Sequence, residues 1–167
     1  MKRYIFVAIC SMLVILWVAF IWSNSMQTGE DSGEVSSDVT DIINEVVEPV
    51  LGEPVSEHTV RKSAHFLEYM LLGLLASLDV LAVSYALSRR SELFISLLMP
   101  LSSVLGFAVA VIDEFLIQAA TDGRGPSWRD VGIDSAGALT GAIICIAVFL
   151  FACRIAGKGK NKVNSQI

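Results

Sequence analysis

Four long apolar runs, at residues 4–22, 64–87, 93–118 and about 131–153, are separated by polar stretches. A helix needs about 20 mainly apolar residues to cross a bilayer. The pattern therefore predicts an all-α membrane protein built as one four-helix transmembrane bundle over residues 4–153, with a tail at residues 154–167. Lys2 and Arg3 precede the first run and Trp22, an aromatic suited to the headgroup region, closes it. Ser23 and Ser25 also make a loose signal-peptide cleavage site. The run is longer than the roughly 7–15 residues of such a segment, which favours a retained helix.

Residues 23–63 are polar and acidic. Within them Val35, Val39, Ile42, Val46 and Val50 recur every three or four residues with acids between, the period of an amphipathic helix. Gly52 and Pro54 should stop it, and Ser56 should cap the next helix. The amphipathic segment either covers the mouth of the bundle or stands in solvent as an arm. Pro100 falls early in the third run, where neighbouring helices can absorb a kink. Gly137 and Gly141 form a GxxxG spacing on the fourth run, with Gly106 and Ala110 as a similar small face on the third, the pattern of closely packed helices.

Composition supports a lipid environment: 54% of the 167 residues are hydrophobic, the mean hydropathy is +0.64, and 17% are charged. The net charge of −5 excludes a basic stripe for nucleic acid. Cys10, Cys145 and Cys153 sit in apolar runs and read as small packing residues. Lys2, Arg3, Arg89, Arg90, Arg154, Lys158, Lys160 and Lys162 fall on one side, and Arg61, Lys62, Arg124 and Arg129 on the other. An excess of Lys and Arg marks the cytoplasmic side, so both termini should be cytoplasmic and the acidic loop should face outward.

The chemistry-bearing residues then converge on the outer edge. Lys62, His65, Glu68 and Tyr69 share one helix face; Asp113, Glu114 and Gln118 end the third run; Arg124, Arg129, Asp130 and Asp134 open the fourth. Charged groups cost about 2.5–3.5 kcal/mol each at a helix centre, so these should point inward and pair. Three readings arise: the cations only neutralise Glu68, Asp113, Glu114, Asp130 and Asp134 and lock the helix ends of a structural or partner-binding membrane subunit; Lys62, His65, Glu68, Gln118, Arg124, Arg129, Asp130 and Asp134 bind an anionic lipid headgroup; or His65 with Glu114 or Asp130 acts as acid and base in a hydrolase or transferase. A divalent metal held by His65, Glu68 and the carboxylates is conceivable, but the spacing matches no metal motif, and neither a metal nor another cofactor is expected. Ser63 and Ser127 carry no nucleophile signature. Asp79 stands roughly 16 Å from His65 along the same helix and should pair with a serine or stay protonated.

These stretches resemble the VanZ-like family of bacterial membrane proteins over most of the chain. The resemblance is carried by Phe20, Trp22, Ser23 and Ser25 with Gly29, Asp31 and Ser32; by Lys62, His65, Phe66, Glu68, Tyr69 and Gly73; and by Gln118, Arg124, Asp130, Asp134, Gly137 and Gly141. One departure is an extra residue in the family's D-E-x-x-Q, here Asp113 and Glu114 followed by Gln118, which on a regular helix turns the acids or the glutamine by about 100°. The turn after Gln118 also lacks the family's proline. The resemblance implies a multi-pass protein of the bacterial cytoplasmic membrane, in some members linked to lowered teicoplanin sensitivity. Its expected partners are membrane lipids, including an anionic envelope precursor; it implies no particular protein partner.

Overall fold

A computed structural model describes residues 2–87 and 100–164, with side chains described as far as residue 156. Its elements are α1 (Lys2–Ser25), α2 (Gly29–Leu51), α3 (Glu57–Ala86), α4 (Leu101–Ile112) and α5 (Trp128–Asn164). After α4 the chain continues through a π-helical turn, Asp113–Ile117, and a 3-10 turn, Gln118–Ala120. Among the described residues, four helical segments are long and apolar enough to span a membrane: Lys2–Ser25, Glu57–Ala86, Leu101–Ala120 and Trp128–Ala156. The chain is an all-α, multi-pass membrane protein, as its hydropathy predicts. The start of the third apolar run and the Arg89–Arg90 loop lie outside the described residues.

The bundle is organised around α3, which packs against α1, α4 and α5. Its closest seam, with α5, is made of glycines. A Cβ on Gly73 would collide with the backbone of Ala138, one on Gly137 with the carbonyl of Phe66, and one on Gly141 with the carbonyl of Met70. Gly106 of α4 meets Ala138 from the other side. In lipid the helices gain little by hiding apolar surface from one another, so close backbone approach and dispersion drive their association. The GxxxG spacing is thus a packing device here. Tyr69, Leu72, Val109, Ala110, Val131 and Ala138 with Ile21 form the core just beneath the polar end. α1 is the most peripheral span, with only 11% of its apolar window buried. It is nonetheless tied in: Trp17 Nε1 donates to Glu68 O at 2.9 Å, and Ser11 donates to Asp79 at 2.8 Å. The latter supplies the serine partner expected for Asp79.

The polar loop is mostly helix α2. Thr28 caps it, accepting from Asp31 N at 3.1 Å while its hydroxyl donates back to the Asp31 carboxylate at 2.7 Å, a reciprocal box that satisfies an orphan amide. Gly52, at φ 79°, ends it in the left-handed conformation that glycine adopts without strain. Ser56 caps α3 as expected. Val35 and Val39 line a cavity at the bundle mouth while staying 58% and 43% exposed, and Val46 and Val50, farther along α2, are 70% and 79% exposed. The start of α2 is docked on the α4–α5 turn, where Gly29 N donates to Asp122 O at 2.9 Å and a Cβ on Gly29 would lie 2.6 Å from Gly123 O. A Gly29→Val chain is expected to lift α2 from the mouth at a cost of about 1–3 kcal/mol. Hydrogen exchange should then quicken through residues 29–51 while the spanning helices keep their protection.

Candidate functional site

The end of α1, the start of α3, the turns after α4 and the start of α5 meet at one pole of the bundle. Ser25 Oγ donates to Asp113 Oδ2 at 2.9 Å, Asn24 Nδ2 to Glu68 Oε1 at 3.0 Å, and Ser127 N to Glu114 Oε1 at 2.7 Å. Lys62 of α3 is paired with Asp130 of α5. The spacing-based convergence is therefore observed.

The π turn resolves the extra residue between the acids and Gln118. Gln118 N donates to the carbonyls of both Asp113 and Glu114, so the widened turn takes up one residue and leaves the rotation of the next turn unchanged. Asp113, Glu114 and Gln118 consequently stay on one face: Gln118 Nε2 donates to Asp113 Oδ2 at 2.9 Å and to Glu114 Oε2 at 2.8 Å. The rotation expected on a regular helix does not occur. Asp113 and Glu114 are 0% and 1% exposed.

Above this network lies a cavity of about 230 Å3, lined by Lys62, His65, Glu114, Gln118, Arg124, Asp130 and Asp134 together with His58 and Arg61. Glu68 borders an adjoining cavity under α2, which shares Arg61, His65 and Arg124 with the first. Arg129 is in neither; it lines a shallower groove with Ser63, Phe66 and Leu67. Arg124 Nη1 donates to Gln118 Oε1 at 3.4 Å. Burial pulls the Arg124 guanidinium below its ordinary pKa and the nearby charge of Arg61 adds to this, while Asp113 and Glu114 act in the opposite sense.

Neutralisation is far from complete. Among the described residues the one ion pair is Lys62–Asp130, so Glu68, Asp113, Glu114 and Asp134 have no cationic partner and Arg61 and Arg124 no carboxylate. The picture of cations simply cancelling acids at the helix ends fits one pair. Of the acid–base candidates, Glu114 has both oxygens occupied by Gln118 and Ser127, and Asp130 is held by Lys62. His65 instead lies with Asp113 and Asp134, each offering a donor atom within 4.8 Å of the others. Asp113 was visible in sequence as half of an Asp-Glu pair, but nothing in the spacing placed it at the centre. His58 and Arg61 line the cavity because they lie one turn before Lys62 and His65, respectively, on α3. Ser25 had no signal beyond the family resemblance.

The VanZ/LLP1 family model matches residues 10–151. The chain belongs to the VanZ/LLP1 family. No curated protein and no solved structure matches it. For this VanZ/LLP1 member, the match begins within the first membrane helix and ends within the fourth, covers the two between them and α2, and includes every polar group of the site.

Proposed function

We propose that this VanZ/LLP1 protein recognises the phosphate headgroup of an anionic envelope lipid or precursor. The observation that carries this reading is a pair of guanidiniums, Arg61 and Arg124, lining one cavity with no carboxylate partner among the described residues. Two cations brought together in a partly desolvated site repel, and an anion shared between them relieves that repulsion. Guanidiniums suit phosphate oxygens because they offer parallel donors. Lys62 lies beside them, oriented by Asp130; Arg124 is oriented by Gln118, and Glu68 and Asp134 border the space where polar headgroup atoms would sit. Arg129 belongs to the approach, in the groove beside Phe66 and Leu67, where an acyl chain would run.

The distribution of Lys and Arg supports a bacterial cytoplasmic-membrane orientation with both termini inside and this cavity at the outer leaflet. An altered response to teicoplanin, an antibiotic that acts at that face, would be a downstream consequence of binding such a lipid. The protein reconstituted in vesicles of neutral lipid should bind a polyprenyl phosphate added in trace amounts. Arg124→Ala should weaken that binding about ten-fold, since a hydrogen bond to a charged group contributes about 1.5–3 kcal/mol. Equal binding by the two proteins would overturn the proposal.

A further inference from the structure

Beneath the guanidiniums, two carboxylates are buried side by side without a cation. Asp113 is 0% and Asp134 2% exposed, and the nearby Lys62 is committed to Asp130. Removing two carboxylates from water into a low-dielectric interior is costly, and their proximity adds repulsion. Such a pair is relieved either by protonation or by a bound cation.

The donor atoms indicate which. His65, Asp113 and Asp134 present one nitrogen and two oxygens within 4.8 Å of one another. His65 Nδ1 and Asp113 Oδ1 are both buried and take part in no hydrogen bond. The other Asp113 oxygen, Oδ2, receives Ser25 and Gln118. A carboxylate fixed by donors on one oxygen and bare on the other is the arrangement found around metal ligands, where outer hydrogen bonds orient the coordinating group. The three ligands come from α3, the turn after α4, and α5, so a bound ion would join three helices at the pole where they meet.

We propose that His65, Asp113 and Asp134 form a divalent-cation site. An imidazole with two carboxylates suits Zn2+ or Mn2+; there is no thiolate to favour Cu+, and Mg2+ prefers oxygen throughout. Two carboxylates and one dication are together neutral, and their attraction offsets the cost of burying them. Three protein ligands leave coordination positions free. Because His65 and Asp134 also line the cavity under Arg61 and Arg124, those positions open toward the same space. The cation site stands on its own geometry and is tested without lipid.

The full chain, purified in detergent and stripped with a chelator, is dialysed against micromolar Zn2+ or Mn2+ and its metal content measured. Uptake of one equivalent per chain is expected. His65→Ala and Asp134→Asn should each weaken it at least about ten-fold, whereas Asp79→Asn, a carboxylate bound to Ser11 in the other half of α3, should not. Thermal unfolding gives a second readout. Without metal, Asp134→Asn relieves the repulsion and should melt at or above the wild type; with metal the order should reverse, because only the wild type gains binding energy. The proposal is overturned if the stripped wild type takes up neither metal. It is equally overturned if both site variants take up as much as the wild type, or if metal shifts no melting temperature.

Discussion

Replacing Gly141 by leucine is expected to open the bundle along the α3–α5 seam. The Cβ alone would collide with the carbonyl of Met70 and crowd Leu74 N, which are backbone atoms and cannot rotate away. The helices would have to separate, losing the contacts of Gly137 and Gly73 on the same seam. Overpacking costs about 1–3 kcal/mol where side chains can adjust; with backbone on the far side the loss should be at the top of that range. Unfolding in detergent reads the effect directly. Gly132→Ala provides the contrast, because nothing lies within 4 Å of a Cβ there and alanine favours the helix by up to about 1 kcal/mol. If the two variants melted alike, the glycine seam would not be what holds α5 to α3.

Gln118→Leu should have the second large effect. One amide supports two buried carboxylates and also accepts from Arg124, so its removal unties three groups at once. Asp113 would keep Ser25 and Glu114 would keep Ser127 N, which limits the damage. With each hydrogen bond to a charged group contributing about 1.5–3 kcal/mol, a net loss on the order of 3 kcal/mol is expected. Equilibrium unfolding measures it, and hydrogen exchange should locate it at residues 113–120. A variant as stable as the wild type would show that the turn is held by packing alone.

The features legible in the sequence came from costs that do not depend on tertiary detail. Twenty apolar residues in a row have few alternatives to a membrane helix, and Gly52 and Ser56 act on their own backbones. Convergence of the polar residues was also legible, because charge is too costly in lipid to be scattered. Pairing was not. Counting cations against acids suggested mutual neutralisation, yet which groups meet depends on helix rotation, and Arg61 and Arg124 came to face a cavity while Arg129 turned to the side. Ser25 lay hidden because one serine at the end of an apolar run carries no pattern, although its hydroxyl reaches across 88 positions to Asp113. The metal reading turned on the same gap: no segment holds a ligand motif, since the three donors come from three elements.

The π turn at Asp113–Ile117 has a consequence for how related chains are compared. Inserted residues are usually assigned to loops, where length is free. A π turn takes up one residue inside a membrane helix, and the acids stay in contact with Gln118 across it. Two chains can therefore differ in length at this point and still superpose on both sides of it. An alignment that moves the gap outward to the Thr121–Ser127 loop would pair Gln118 with the wrong residue and make an intact site look lost.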